Sequence, residues 1–374
     1  MSGALSYILP FIIVLSILVF VHEYGHFWVG RRNGVRVSTF SIGFGPELFG
    51  WTDAHGTRWK LSAIPLGGYV KFFGDQDVSS TTVDKSLEGT LSDAEKATML
   101  HNKTPLQRIA VAVAGPAANY LFAIVALALL IAFKGMPTIP STIGHVEPGS
   151  LAATIGLKVD DKIVRLGDHD VKTFNELRKA LGLSAGKDAT ITVDRKGTSI
   201  QLQAKLYTEE AGKRTPIKIL GIKPGTEAVY EKASIMSAFG KSLTYCYEVS
   251  AGMLEGLWKM ITGSAKGEVG GLLSIGDMAK ESWQGGISTV VLFMVMLSIN
   301  LGLINLMPVP VLDGGHILLC IIEMIRGRAL SEKLQERIFM VGLALVLSLM
   351  VYSTGADLMR YKVFSSIGNL IGIK

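Results

Sequence analysis

The stretch that decides the fold lies near the amino terminus and reads FIIVLSILVFVHEYGHFWVG (residues 11–30). Residues 1–21 carry no charged side chain, and this apolar run leads directly into His22-Glu23-Tyr24-Gly25-His26. A helix needs roughly 20 apolar residues to cross the hydrocarbon core of a bilayer. A cleaved signal peptide is the alternative, but no basic region precedes the run and no small-residue cleavage site ends it. The stretch therefore predicts a membrane-spanning helix that carries two histidines and an acid.

Three further apolar runs predict three more membrane-spanning helices. Residues 109–133 and 287–312 carry no charge, and residues 338–356 supply about the minimum length for a span, roughly 17 to 20 residues. The 374 residues are 49% apolar and 18% charged, a composition that alone would also allow two soluble domains. The distribution of the charges instead predicts a polytopic α-helical membrane protein with four transmembrane helices.

The formal net charge of +6 could suggest nucleic-acid binding, but the basic residues lie beside the spans. They follow the first span, precede the second and separate the third from the fourth (Arg31, Arg32, Arg36, Lys103, Arg108, Arg326, Arg328, Lys333, Arg337). By the positive-inside rule these loops are cytoplasmic, and the amino terminus and the loop between spans two and three are external. We expect a multi-pass membrane protein that contacts the lipid bilayer and no nucleic acid. Cys246 and Cys320 then lie on different sides and do not pair.

The loops contain two folded regions. Residues 35–75 alternate apolar and polar side chains between glycines, which predicts short strands, and the apolar run at 65–73 places this β-region against the membrane. Residues 137–207 have the pattern of a small α+β domain, with a first helix that Ser150 can cap. Its expected strands are residues 141–146, 162–166, 189–193 and 199–204, and its expected helices are residues 150–155 and 174–181.

A peptide could bind this inserted domain by strand addition in a groove between Thr142–Val146 and the helix at 174–181. A spacer that binds no ligand is the alternative.

The segments predicted for the whole chain are a first span with the histidine motif (1–30), a cytoplasmic membrane-associated β-region and loop (31–106), a second span (107–133), the inserted external domain (137–207), interfacial amphipathic helices (208–286), a third span (287–326) and a fourth span (337–357).

The histidine motif has the spacing of a metal site. Positions four apart lie on one face of a helix, so His22 and His26 can reach one metal ion, with Glu23 beside it. Zinc held by three protein ligands keeps a fourth position for water, and a neighbouring carboxylate can take up the proton of that water. Interfacial polar residues are the alternative. However, apolar residues continue through Val29, and a charge within the membrane costs roughly 2.5 to 3.5 kcal/mol on insertion scales.

The third ligand is expected to be Asp313, the only acidic residue in residues 287–322. It follows Pro308 and Pro310 and precedes two glycines, so this part of the third span should be interrupted backbone that surrounds a cavity. A proline-kinked structural helix, with the carboxylate satisfied by amides, is the alternative. His316 could compete as a ligand, but we expect it to support the ligands instead, because one position must remain for water.

At this point the residues resemble the site-2 protease family of intramembrane metalloproteases, most closely its regulator of sigma-E protease branch. The resemblance covers nearly the whole chain. It rests on the motif at 22–26, on Pro65-Leu66-Gly67-Gly68-Tyr69-Val70-Lys71, on Ala114-Gly115-Pro116-Ala117-Ala118-Asn119, on Asn305 to Gly315, and on an inserted domain that resembles a bacterial PDZ domain.

The resemblance implies one zinc ion bound by His22, His26 and Asp313, with Glu23 as general base. It implies cleavage within the transmembrane segment of single-span proteins, such as trimmed anti-sigma factors or remnant signal peptides. It also implies that Asn305 contacts the substrate near the scissile bond, and that the β-region around Ile42, Gly43, Phe44 and Tyr69 holds the substrate extended.

The chain departs from the pattern of this branch at three places. Only one PDZ-like domain fits, where two are common; Asp160-Asp161 stands where Gly-Asp is usual; and the Gly-Pro that often precedes the third span is missing from residues 270–275. A membrane peptidase whose site faces the cytosol is one rival, although such enzymes take a later Glu as third ligand. A membrane zinc-binding protein or transporter without protease activity is the other.

Overall fold

The structure is a computed structural model that describes residues 5–75, 91–210, 213–217, 219–225, 229–231, 233–264 and 271–360. The chain divides into two compact units. One contains Met1–Leu129 together with Ile235–Lys374, and the other contains Leu130–Ser234.

Long apolar helices dominate the first unit. These are α1 (Leu5–Arg32), α3 (Pro105–Phe133), α8 (Ile287–Leu306) and α10 (Glu332–Arg360). Within the described residues, four helical segments are long and apolar enough to cross a membrane, and one lies in each of these helices. The predicted number of spans is therefore confirmed by length and hydropathy. Helix α1 packs against α8 and the shorter α7 (Leu272–Gln284) around buried apolar side chains that include Leu18 and Phe293.

The predicted third span consists of two helices. Helix α8 ends at Leu306, and α9 (Asp313–Arg326) begins only after six residues of irregular backbone. Val311 in this interruption has a φ of 93°, a conformation that costs free energy for a β-branched residue. A Cβ on Gly315 would lie 2.8 Å from the Cα of Pro310, so only glycine lets the start of α9 fold back against the interruption. The expected break is confirmed, and Asp313 is the first residue of the new helix.

The β-region is a strongly bent pair of long strands, β1 (Val37–Thr52) and β2 (Arg58–Phe72). Residues 58–61 pair with both 39–42 and 49–52, whereas 68–72 pair with the other side of 37–42. In this two-stranded sheet, segment 68–72 forms an outer edge. Phe40 and Phe72 on this sheet pack against Phe27 of α1 and Val111 of α3, so this edge segment lies beside α1. A helical turn, α2 (Asp93–Lys96), and a 3-10 turn (Leu100–Asn102) precede α3.

The second unit is built around a four-stranded sheet with the order β6-β5-β7-β8. Its elements are β3 (Met136–Thr138), β4 (Ile143–Val146), α4 (Leu151–Thr154), β5 (Lys162–Leu166), β6 (His169–Asp170), α5 (Phe174–Ser184), β7 (Asp188–Arg195), β8 (Thr198–Lys205), β9 (Tyr207–Glu210), β10 (Lys213–Pro216), β11 (Ile222–Pro224) and β12 (Val229–Glu231). The strands and helices expected in 137–207 are present. Ser150 caps α4 as expected, and Asp160 has a φ of 70°, so it adopts the conformation that glycine favours.

Residues 208–231 differ from their prediction as part of an interfacial helical segment. They form short strands, of which β11 pairs with β4 and β12 pairs with β3. The compact unit therefore ends at Ser234 rather than at 207. The amphipathic helices begin only with α6 (Ile235–Ile261) and α7. The boundary could not be predicted from local pattern, because these strands are only three or four residues long and depend on distant partners.

The predicted peptide groove beside β4 stays a prediction, and part of that strand already has backbone partners. Strand β4 pairs with β11 on one side. On its other side, the Ile143 N–H donates to the Asp161 carbonyl at 2.9 Å and the Asp160 N–H donates to the Ile143 carbonyl at 2.8 Å. At Ile143, β4 thus has backbone partners on both sides, which leaves less of this strand for an additional peptide strand.

Candidate metal centre

Two helices bring three metal-ligand side chains together. His22 and His26 project from one face of α1, and Asp313 projects from the first turn of α9. His22 Nε2 lies 3.2 Å from His26 Nε2 and 3.2 Å from Asp313 Oδ2. His26 Nε2 lies 3.4 Å from Asp313 Oδ1. The three residues that the sequence predicted as ligands therefore meet, although 287 positions separate Asp313 from His26 in the chain (313 minus 26).

The hydrogen bonds around this cluster determine which imidazole nitrogens are free. His26 Nδ1 lies 2.8 Å from the carbonyl oxygen of Val111, and a carbonyl only accepts, so Nδ1 carries the proton. Nε2 of a neutral His26 then presents a lone pair toward His22 and Asp313. Lone pairs and a carboxylate that face one another without protons between them repel, and a cation removes this repulsion.

Asn119 holds the second imidazole. Its buried side-chain amide lies 3.1 Å from His22 Nδ1, while its Oδ1 is buried without a hydrogen-bond partner in the described structure. The oxygen and nitrogen of a side-chain amide are assigned from the hydrogen bonds around them. With the Asn119 amide flipped, Oδ1 accepts a hydrogen bond from His22 Nδ1–H. His22 Nε2 then also faces the cluster as a lone pair. Each candidate ligand imidazole is thus oriented by a group on α3, as is usual for metal-binding histidines.

The spacing of the ligand atoms fits zinc. Ligands at about 2.0 to 2.2 Å from a tetrahedral zinc ion lie about 3.3 to 3.6 Å from one another. The observed separations of 3.2 to 3.4 Å are close to these edges of a tetrahedron. Asp313 Oδ2 is moreover a buried acceptor without a hydrogen-bond donor among the described residues. The donor set and its geometry therefore fit a zinc ion.

Two glycines make room for the site. A Cβ on Gly115 would lie 2.6 Å from His26 Cε1 and 2.9 Å from His22 Cε1, closer than real Cβ contacts. A Cβ on Gly25 would lie 2.9 Å from the Cβ of Ala118, so α1 and α3 approach closely only because this position has no side chain. In the sequence, Gly115 and Asn119 stand out only as part of a family motif, and Val111 does not stand out. Their contacts with the histidines arise from the packing of two helices.

The site opens into a cavity of about 310 Å³. Glu23 lines this cavity together with the three candidate ligands. The edge segment 68–72 forms one wall, to which Gly68, Tyr69, Val70 and Phe72 contribute. An acid that faces the same space as the ligands is in position to exchange a proton with a water molecule there.

A model of Peptidase family M50 matches residues 10–349 of the chain. The chain belongs to peptidase family M50. Over 361 residues it is 40% identical to the protein named "Putative zinc metalloprotease Atu1380" of Agrobacterium fabrum, covering 94% of this chain and 96% of that relative. Over 397 residues it is 31% identical to Metalloprotease MmpA of Caulobacter vibrioides, covering 99% of this chain and 100% of that relative. The M50 chain is thus a multi-pass membrane zinc metalloprotease.

The residues expected to bind substrate in this M50 peptidase fall into two groups. Asn305 and Tyr69 line the cavity. Ile42, Gly43 and Phe44 are not among the lining residues, because Ile42 is paired with Gly68 on one side and Leu61 on the other. Strand alternation could be predicted from the sequence, but which segment forms the outer edge depends on the bend of the whole sheet.

His316 lines the same cavity, one turn after Asp313. It is not part of the three-residue cluster whose ligand atoms lie within 4.8 Å of one another. The structure therefore agrees with the expectation that His316 is not one of the three ligands.

Proposed function

We propose that this M50 peptidase hydrolyses peptide bonds within the transmembrane segments of single-span membrane proteins, such as trimmed anti-sigma factors or remnant signal peptides. In this proposal one zinc ion is held by His22, His26 and Asp313, and Glu23 is the general base. The observation that carries it is the meeting of these four side chains in one cavity, on helices that are long and apolar enough to span a membrane.

When bound, zinc acidifies the attacking water and polarises the scissile carbonyl. Glu23 takes one proton from this water as it attacks, and returns a proton to the amine that leaves. Asn119 and the Val111 carbonyl keep both imidazoles turned with their Nε2 atoms inward. Because His22 and Glu23 are adjacent in the sequence, the ligand and the base lie on the same turn of α1.

The edge segment 68–72 supports extended binding of the substrate. A transmembrane helix hides its carbonyls in its own hydrogen bonds, so it must unwind before hydrolysis, and a strand edge can replace the lost bonds. The edge lies beside Glu23: a Cβ on Gly68 would lie 3.4 Å from Glu23 Cγ. Tyr69 on this edge and Asn305 on α8 then contact the substrate.

We assign an indirect role to the segment that contains Ile42, Gly43 and Phe44. The ring of Phe44 stacks on that of Tyr69 with centroids 6.0 Å apart. Gly43 has a φ of 88°, and a Cβ there would lie 2.8 Å from the Ile64 carbonyl oxygen. These residues hold the edge segment in place from inside the sheet.

We further propose that residues 137–234 form a PDZ-like domain whose peptide groove is bordered by β11 rather than β4. β11 pairs with β4 along one edge, where Lys223 is opposite His145 and the Gly221 carbonyl accepts from Glu147 N–H at 2.8 Å. Alternation along a strand then turns the N–H and C=O of Ile222 away from β4. This edge, with α5, is the place for an added peptide strand.

The proposed orientation follows from the basic residues at the ends of the spans. Arg31 and Arg32 end α1 and Arg36 follows it, while Arg328 lies between α9 and α10 and Lys333 lies in the first turn of α10. The positive-inside rule places these residues, and the metal centre near them, on the cytoplasmic side of a bacterial inner membrane, with the inserted domain outside. This arrangement and the sequence motifs support assignment to the regulator of sigma-E protease branch.

The test of the mechanism is Glu23→Gln in purified full-length protein. We expect bound zinc to remain near the parental amount while cleavage of a model transmembrane substrate falls by at least about 1,000-fold, since general-base catalysis commonly contributes 10² to 10⁴-fold. Glu281→Gln, which removes an exposed carboxylate on α7, serves as the matched control and should cleave normally. Undiminished cleavage by Glu23→Gln would disprove the role assigned to this residue.

A further inference from the structure

An ion pair outside the metal centre connects α3 to α9. Arg108 NH2 donates to Glu323 Oε1 at 2.6 Å, and the two side chains are only 18% and 21% exposed. Arg108 lies in the first turn of α3, and Glu323 lies in the last turn of α9. Water screens a shielded pair less than a surface pair, and removing one partner leaves the other charge poorly solvated and uncompensated.

This ion pair lies at the opposite end of the cavity from the metal ligands. Glu323 is ten residues after Asp313 on one helix, which corresponds to about 15 Å along the axis. The face of α9 between them lines the cavity with His316, Leu319 and Cys320. Leu330 and Gln335 also line the cavity. The pair thus bridges the two helices where the cavity approaches the end of the α3 span.

Helices α3 and α9 both contribute to the candidate metal centre. α3 supplies the Val111 carbonyl and Asn119, which orient the histidines, and α9 supplies Asp313. α9 has 14 residues, and its first turn packs against the end of α8 and the irregular backbone that follows. Contacts at its other end add a second constraint on its position along α3. A contact between the far ends of α3 and α9 therefore bears on where Asp313 lies.

We propose that Arg108 and Glu323 form a latch that closes the end of the cavity remote from the metal ligands and holds α9 at the position along α3 that Asp313 requires. Arg108 and Glu323 are positioning residues in this proposal, not catalytic ones. Opening the latch exposes the interior of the cavity to water and moves Asp313 relative to the histidines. The displacement of Asp313 rests on the proposed metal site, whereas the exposure of the cavity to water does not.

Cys320 is a built-in reporter of the latch. It lies one turn before Glu323 on the face of α9 that lines the cavity, and it is 6% exposed. The other cysteine, Cys246, is buried in α6 and can be replaced by alanine, which leaves Cys320 as the single thiol. The rate at which a water-soluble maleimide labels Cys320 in the detergent-solubilised full-length protein then measures how often the cavity opens.

In the Cys246→Ala background, we expect Glu323→Gln and Arg108→Gln each to raise the labelling rate of Cys320 by about tenfold, the change that corresponds to about 1.4 kcal/mol. The charge-reversed pair, Arg108→Glu with Glu323→Arg, should restore slow labelling, and Arg108→Lys should be intermediate. Arg326→Gln, which removes an exposed charge three residues further along α9, is the matched control and should label at the parental rate.

Zinc content by elemental analysis provides the second measurement. The single variants should hold less zinc after dialysis against a weak chelator than the parent, and the reversed pair should regain it. Labelling at the parental rate in both single variants would overturn the latch. Faster labelling with unchanged zinc would retain the closure and overturn the positioning of Asp313. An unfolded variant would also label fast. It is recognised because its melting transition is lost and because the reversed pair does not return labelling to the slow rate. This result also counts against the proposal.

Discussion

Asp161 in the inserted domain is buried and Asp313 in the first unit is mostly shielded, and the surroundings of these two carboxylates differ. Asp161 in the inserted domain is buried and fully hydrogen-bonded: Arg195 donates to both of its oxygens at 2.7 Å, and the Lys158 N–H donates at 2.8 Å. Asp313 has a buried oxygen without a donor among the described residues, and it faces imidazole nitrogens at 3.2 and 3.4 Å. Asp161 has its countercharge within the protein, whereas Asp313 lies in a donor-poor cluster that zinc completes in the proposed function.

The hydrogen-bond partners of a carboxylate distinguish a structural acid from a candidate metal ligand. A buried charge is tolerated when it is paired and hydrogen-bonded, and the cost is large when it is not. Burial alone would raise the pKa of Asp161, but the hydrogen bonds from Arg195 and Lys158 outweigh burial and lower it. Replacing each acid should therefore affect a different property of the protein.

The largest expected effect is the loss of metal in Asp313→Asn. Removing a charged ligand should lower zinc affinity by more than about 100-fold, the upper limit for residues that only support a ligand. Elemental analysis after dialysis measures the remaining zinc. Asp161→Asn serves as the control and should keep the parental zinc content. Equal zinc in Asp313→Asn and the parent would show that the third ligand lies elsewhere and would remove the distinction between the two acids.

The next effect is expected from Gly115→Ala, which tests whether the space for the imidazoles is required. The added methyl overlaps His26 and crowds His22, so zinc affinity should fall by about 10 to 100-fold, as for residues that orient ligands. A competing chelator measures this change. Gly355→Ala in α10 has open space around its added methyl and should bind zinc as the parent does. Normal affinity in Gly115→Ala would mean that α1 and α3 can separate at no cost to the site.

Arg195→Gln should destabilise the inserted domain without changing zinc content. It leaves Asp161 buried with its charge uncompensated, and we expect a loss of about 2 to 3 kcal/mol in local stability. Hydrogen exchange of peptides from β5 and β7 in the full-length protein measures this loss. Lys187→Gln, at an exposed position before β7, should leave the exchange unchanged. Slow exchange in Arg195→Gln would argue that Asp161 is satisfied without its cation.

The smallest expected effect is a pH dependence of the same domain. Because the pKa of Asp161 is lower in the folded protein than its unfolded value of about 3.9, its contribution to stability is present above that pH and is lost as the pH falls. Hydrogen exchange in β5, corrected for the intrinsic rate, should accelerate below about pH 4. Arg195→Gln should show a weaker pH dependence. The same acceleration in both proteins would assign it to other groups.

The sequence predicted the parts of the site that follow from local geometry. The spacing of His22 and His26 places both on one helix face, and the scarcity of acids in the third apolar run singled out Asp313. It could not identify Val111 and Asn119 as partners of the histidines. A backbone carbonyl and an amide in an apolar helix have no distinctive pattern, and their role appears only when α3 packs against α1.

The β-regions show the same division. Alternation and glycines predicted strands in 35–75 and in 137–207, and strands are present there. Which edge is open was not predictable. Ile42 was expected to contact substrate but is paired on both sides, and β4 was expected to border a groove and pairs with β11, which begins 76 residues after the end of β4 (222 minus 146).

The sequence by itself thus determined the number of long apolar helices, the break before Asp313 and the identity of the candidate ligands and base, because each depends on side-chain chemistry over a few helical turns. Only the tertiary structure decided that the Asp313 carboxylate lies 3.2 to 3.4 Å from the two imidazoles, which groups on α3 orient them, and which strand edge lies beside Glu23. These features depend on contacts between residues far apart in the chain, and packing of whole helices and sheets sets such contacts.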